Sequence, residues 1–107
     1  MDSPMSLPSH AYFLVYKHSP WCGLSARARR EVERFRRERA DVPVVEVDVI
    51  HERALSDDLE ARLGVRHESP QVILVVGGRP RWHASHGRVT ADAIASAIVT
   101  HLDGGAS

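Results

Sequence analysis

The sequence predicts an α/β domain of order β-α-β-α-β-β-α, with a mixed four-stranded sheet and helices on both of its faces. Three observations predict it. Short runs rich in β-branched and aromatic residues, such as AYFLVYK (11–17) and QVILVV (71–76), are separated by stretches whose apolar residues recur at helical spacing. The first three strands alternate with helices, as parallel crossovers do. Gly77-Gly78 then joins the third run to a fourth as an antiparallel hairpin.

Taken in order, residues 1–10 read as a disordered tail punctuated by Pro4 and Pro8, and the domain proper spans 11–102. Residues 11–17 form a buried strand. From Cys22 to about Arg39 the pattern is helical, with Leu24, Ala28, Val32 and Phe35 on one stripe. In the second strand, within 41–50, Val45, Val47 and Val49 alternate with Glu46 and Asp48. Ser56 is expected to cap the second helix, with Asp57 and Asp58 in its positive first turn. Leu55, Leu59 and Leu63 are that helix's apolar stripe and Gly64 its stop. The third strand is 71–76 and the fourth starts near Arg81. Thr90 caps a last helix with Ile94, Ile98 and Leu102 on one face, and 103–107 is a second disordered tail.

The 107 residues, 43 % hydrophobic and 26 % charged, suit one globular domain. The formal net charge of zero argues against bulk nucleic-acid binding, so no nucleic-acid partner is expected. No apolar run approaches the ~20 residues of a membrane span, and the start lacks the basic and apolar regions of a secretory signal. A single cysteine forbids an internal disulfide, which fits a reducing, cytoplasmic setting without a membrane partner. Seven arginines crowd Arg27 to Arg39 against Glu31, Glu33 and Glu38, and this face is expected to be solvated.

The chemistry points to YKHSPWCGLS (16–25). Cys22 stands at the junction of the first strand and first helix, where unpaired N–H groups and a partial positive charge favour a thiolate. Lys17 and His18 add positive potential, and Trp21 covers one side of the sulfur. Ser25 occupies the position where a second cysteine would complete a C-x-x-C pair. Its hydroxyl is placed to donate a hydrogen bond to the thiolate, but it forms no disulfide. A mixed disulfide on Cys22 therefore needs an outside thiol to resolve it.

HESPQ (67–71) is the second informative segment. Ser69-Pro70 stands at the start of strand three, where proline is tolerated. The loop is expected to face the first helix's N-terminus and to pair its backbone with an extended substrate beside Cys22, with His67 flanking the site. His86, Gly87 and Arg88 precede the last helix, a place suited to an anion. His83 and His86 with Cys22 are the one combination with zinc-ligand chemistry, but scattered surface histidines are the expectation and no metal is predicted. VVGGRP is no P-loop, because the Lys-Ser/Thr pair is missing.

With a cysteine after strand one and Pro70 before strand three, this order resembles the thioredoxin fold. The resemblance implies a cis Ser69–Pro70 bond. Within that superfamily, KHSPWCGLSARARREVERF, VDVI and LGVRHESPQVILVVGGRPRWHASHG resemble the monothiol bacilliredoxins of the bacillithiol system. That resemblance implies removal of bacillithiol from protein mixed disulfides, with Cys22 as the redox cysteine and Ser69-Pro70 as the cis-proline loop. The partners implied are S-bacillithiolated proteins, with bacillithiol as the low-molecular-weight thiol co-substrate and no tightly bound cofactor. Gly23 departs from the proline that the family often carries after its cysteine, and leaves the first helical turn less rigid. CGLS is also one residue from the Cys-Gly-Phe-Ser motif of monothiol glutaredoxins, which share a two-iron, two-sulfur cluster with two glutathiones. Iron–sulfur carriage is therefore a second reading, and a thioredoxin-like binding module without redox chemistry a third.

Overall fold

The computed structural model describes residues 11–19 and 23–102, with side chains for all of these except 23 and 24. The tails at 1–10 and 103–107 lie outside the described residues. The elements are β1 (Tyr12–His18), α1 (Gly23–Glu38), β2 (Val44–Asp48), α2 (Arg53–Leu63), β3 (Gln71–Val76), β4 (Arg79–Ser85), a 3-10 turn at His86–Arg88 and α3 (Ala91–His101).

The sheet order is β2-β1-β3-β4. β1 runs parallel to β2, but β3 runs antiparallel to β1 and to β4. The parallel crossover read from the alternation thus holds only for the first helix. Lys17 pairs with Gln71, so α2 and the 64–70 segment return the chain to the sheet end where β1 finishes. A parallel third strand would have to start beside Tyr12 instead.

The two central strands explain their near-continuous apolar runs, since both of their faces are covered. Leu14, Tyr16, Val72 and Leu74 face α1 and α3, where Ala28, Val32, Phe35, Ile94 and Ile98 pack. Phe13, Val15, Ile73 and Val75 face α2 through Leu59 and Leu63. Full burial of side chains such as Phe35 and Val32 stabilises the fold by roughly 1.5–3 kcal/mol each.

β4 is an edge strand, which is how it accommodates Pro80. It begins at Arg79 rather than near Arg81, and the register shift between Leu74 and Val75 absorbs the extra residue. Gly77 and Gly78 both have positive φ, 61° and 79°, as a primed two-residue hairpin turn requires. Gly64, at φ 69°, closes α2 with its N–H on Glu60 O.

The start of α2 differs from expectation. The helix opens at Arg53, one turn before Ser56, and has no acidic residue in its first turn. Asp48 is the cause: its Oδ1 accepts from the amides of Ile50 (2.9 Å) and His51 (3.0 Å), while Glu52 Oε1 accepts from the Asp48 amide (3.0 Å). This turn nucleates the helix early and leaves Ser56 buried inside it. Asp57 and Asp58 instead pair along the helix with Arg53 and Arg62. Thr90 caps α3 as expected, its Oγ1 accepting from Ala93 N at 3.1 Å.

Candidate functional site

The C-terminal end of β1 brings the site together. Successive strand residues point to opposite faces, so Lys17 turns toward α2 and His18 toward α1. Lys17 is fully buried, an unusual state for a lysine that demands partners. Its Nζ lies 3.3 Å from His67 Nδ1 and 3.5 Å from Ser56 O. Ser56 Oγ is also 3.3 Å from His67 Nδ1. An ammonium only donates, so this arrangement assigns the His67 ring proton to Nε2. Burial pushes the Lys17 pKa down, and the charges of Glu60 and Asp57 oppose that push. Glu60 also accepts from the His67 amide at 2.8 Å, which ties the 64–70 segment to α2.

On the other face, His18 stacks obliquely on Tyr16, with ring centroids 5.3 Å apart, and its Nε2 is 3.8 Å from Glu46 Oε1. Glu46 is the hub of this side. It receives Arg29 at 2.8 Å and Arg36 at 2.7 Å. Burial raises the Glu46 pKa, but the two guanidinium groups outweigh it and the net shift is downward. Arg29 also covers the Tyr16 ring, 5.2 Å from its centroid. The expectation of a solvated arginine face therefore fails for Arg29 and Arg36, which fold over β2 because Glu46 is half-buried there. Arg27, Arg30 and Arg37 are exposed as expected. Burial raises the Tyr16 pKa, against the Arg29 charge, and its hydroxyl has no partner among the described residues.

Pro20, Trp21 and Cys22 lie outside the described residues. The chain resumes at Gly23, the first residue of α1, so Cys22 directly precedes the helix. Ser25 is buried, and its Oγ accepts from the Ser19 amide at 3.3 Å. That bond holds the strand exit against the helix's first turn, a role not read from the sequence. As the acceptor in that bond, Ser25 does not use its hydroxyl proton there.

The third wall is the 64–70 segment. The Ser69–Pro70 peptide bond is cis. Pro70 is buried, and its carbonyl accepts from the His86 amide at 2.8 Å. Ser69 Oγ is buried without a partner among the described residues. Gln71, buried, knits the segment: its Nε2 donates to Arg66 O (3.0 Å) and Ser85 Oγ (3.4 Å), and its Oε1 accepts from Glu68 N (3.4 Å). Sequence reasoning missed Gln71, Glu46 and Ser56. A glutamine opening an apolar strand was the available signal for the first, because a buried amide must find partners.

His86 and Gly87 sit in the 3-10 turn, and α3 starts only at Ala91. The anion place expected at that helix N-terminus is already filled. Glu31 Oε1 accepts from Ala91 N at 2.8 Å, and Thr90 takes Ala93 N. His83 and His86 come together around a cavity beside Glu68 and Arg88. Among the described residues no cluster of three His, Cys, Asp or Glu is placed to hold a metal.

The family model described as Monothiol bacilliredoxin BrxC matches residues 4–94. The chain belongs to the monothiol bacilliredoxin family. A solved protein with a thioredoxin fold, described as a candidate oxidoreductase, is 36 % identical and superposes with a TM-score of 0.76, over 82 % of this chain and 78 % of that one. Thioredoxin f2 of Chlamydomonas reinhardtii matches at 20 % identity and TM-score 0.65, over 86 % of this chain and 80 % of its own. The Fasciola hepatica thioredoxin matches at 18 % and 0.68, over 84 % and 80 %. These last two show the thioredoxin fold alone. As a monothiol bacilliredoxin with this fold, the chain carries its one cysteine where β1 gives way to α1, and family and fold together support a thiol oxidoreductase. Lys17 and His18 end the strand before that junction and Ser25 lies in the first turn after it, while the 64–70 segment leads into β3 at the same sheet end.

Proposed function

We propose that this monothiol bacilliredoxin removes bacillithiol, or a similar low-molecular-weight thiol, from protein mixed disulfides through Cys22. One observation carries the reading: the only cysteine of the chain stands in sequence immediately before α1, and β1, the strand that leads to it, ends in a buried lysine. Helix N–H groups and nearby cations favour the thiolate, which is the attacking species.

The exchange balances in two steps. The Cys22 thiolate attacks the bacillithiol sulfur of the target, forming a Cys22–bacillithiol disulfide and releasing the target's thiolate. A second bacillithiol thiolate then attacks the bacillithiol sulfur on Cys22. It forms the symmetric disulfide and returns the Cys22 thiolate. Electrons are conserved, and a separate reductase of the disulfide closes the cycle. Ser25 cannot intercept the intermediate as a resolving cysteine would, so the small thiol must supply the second sulfur.

The setting we infer is a reducing cytoplasm, where S-bacillithiolated proteins are the partners. Among the described residues no helix is long and apolar enough to cross a membrane. Intact-mass spectrometry tests the reading. A bacillithiolated protein mixed with this chain should lose its adduct as the same mass appears on Cys22. Loss without any adduct on Cys22, or no loss, contradicts the proposed route.

A further inference from the structure

Helix α1 sorts its charges by face. At about 100° per residue, Arg27, Arg30, Arg34 and Arg37 fall within an arc of roughly 80° around the helix axis. All four are exposed. The acids that flank this arc are engaged elsewhere. Glu31 accepts from the Ala91 amide at 2.8 Å. Glu33 pairs with Arg29 at 3.4 Å and with Arg36 at 3.6 Å, on the flank that folds over β2. Of the stripe itself, Arg34 meets Glu38 at 3.4 Å and Asp92 at 3.1 Å. Arg27, Arg30 and Arg37 make no ion pair among the described residues. On the other side of the sheet the pattern is different. There α2 mixes Asp57, Asp58 and Glu60 with Arg53 and Arg62, and both of these arginines are paired. A chain with no formal net charge thus presents a one-signed stripe on a single helix.

The stripe is continuous with the reactive end of the helix. It starts about one turn inside α1 and runs on for about 15 Å along the axis. Cys22 directly precedes the first residue of α1 in the sequence. Arg37 stands about 21 Å along the axis from Gly23. A small thiol reacting at the helix head does not extend that far, whereas the surface of a protein does.

Resting on the reading of the chain as an exchanger that acts on protein mixed disulfides, we propose that the Arg27, Arg30, Arg34 and Arg37 stripe is the docking surface for those proteins and selects targets with carboxylates beside the modified cysteine. A guanidinium receives a carboxylate through paired N–H donors, which gives geometry as well as attraction. A one-signed field of this kind raises encounter rates by about tenfold or more. The effect fades with salt, because the screening length falls from about 30 Å at 0.01 M to about 3 Å at 1 M. A nucleic acid would meet the same charge, but it brings no disulfide to the helix head.

The test uses the full chain and two capped peptides, each with a single cysteine held as its bacillithiol mixed disulfide, one rich in glutamate and one rich in lysine. At about 0.01 M salt, kcat/KM should favour the glutamate peptide about tenfold, and about 1 M salt should erase the preference. Arg30→Glu with Arg37→Glu should reverse it, at positions that spare the first turn of α1. Arg53→Glu with Arg79→Glu changes the net charge equally at exposed sites off the stripe, and should leave the preference in place. Circular dichroism checks that each variant is folded. Exchange without a preference in wild type, or equal loss of preference in both double variants, overturns the docking surface and leaves the exchange reading standing. Binding is read apart from chemistry by titrating the nitrogen-15-labelled Cys22→Ser chain with the glutamate peptide carrying serine for cysteine. Saturable shifts are expected at the amides of 27–37 and should vanish with the Arg30 and Arg37 reversals. Such shifts with no exchange by wild type uphold the docking surface and overturn the exchange reading alone. Shifts at the same amides with a short DNA duplex, and none with the peptide, overturn the assignment to protein targets.

Discussion

Lys17 Nζ and His67 Nδ1 lie 3.3 Å apart, although fifty residues separate them in the chain. The contact locks a buried cation at the end of β1 to the segment that precedes Pro70. A lysine with no exposed surface is retained here at an energetic disadvantage, since burial alone lowers its pKa. We attribute that cost to its field at the Cys22 junction.

Lys17→Met should therefore raise the Cys22 thiol pKa. As a general scale, a unit charge at an effective dielectric constant near 20 is worth roughly one pKa unit for a separation of ~10 Å and less for a larger one. The pH dependence of iodoacetamide alkylation measures it. A midpoint that stays in place or moves down removes Lys17 from the account.

Glu46 should matter more to stability than its partial exposure implies. It accepts from Arg29 and Arg36, and its side chain is 33 % exposed, against 86 % for Asp92 opposite Arg34. Discounting for solvent, Glu46→Ala should cost about 1–2 kcal/mol in urea unfolding and Asp92→Ala ~0–1. The Glu46 pKa is lowered in the folded chain, so its contribution is complete above the ordinary carboxylate value and fades as pH falls below it. The gap to wild type should accordingly narrow by pH 3. Equal costs for the two variants, or a gap indifferent to acid, contradicts the hub.

Asp48 offers a second acid-sensitive point. The His51 amide and ring, with the Ile50 amide, bring its pKa down to about 2 from 3.8. A depressed carboxylate stabilises fully above its unfolded value and loses that contribution as pH falls toward the folded one. Asp48→Asn should lower the urea midpoint at pH 7 and converge with wild type near pH 2. A constant offset across that window means that the charge of Asp48 does not nucleate α2.

The sequence makes the element order legible because apolar period alone distinguishes Ala28-Val32-Phe35 from the runs at 12–18 and 71–76. It does not show the direction of β3, since a strand's pattern reads the same both ways. Ser56 looked like a cap because its type favours caps, but Asp48, eight residues earlier, had already started the turn. The site divides in the same way. Cys22, Lys17, His67 and Pro70 stand out from local chemistry, whereas Glu46 and Gln71 owe their roles to partners 17, 14 and 10 positions off in sequence. Such roles emerge only when the sheet has formed.

Ser25 separates support from chemistry. Its Oγ accepts from Ser19 N at 3.3 Å, a neutral bond worth roughly 0.5–1.5 kcal/mol. Ser25→Ala should lower stability by about that much and slow exchange while leaving most of it. Complete loss of exchange in a folded Ser25→Ala chain would give the serine a chemical part that this account does not.

The most direct measurement follows bacillithiol leaving a model protein, with free bacillithiol supplied, for wild type and Cys22→Ser side by side. A monothiol route has one attacking sulfur, so Cys22→Ser should fall to the uncatalysed rate while circular dichroism shows the fold retained. Removal by Cys22→Ser at the wild-type rate would contradict the account at its centre.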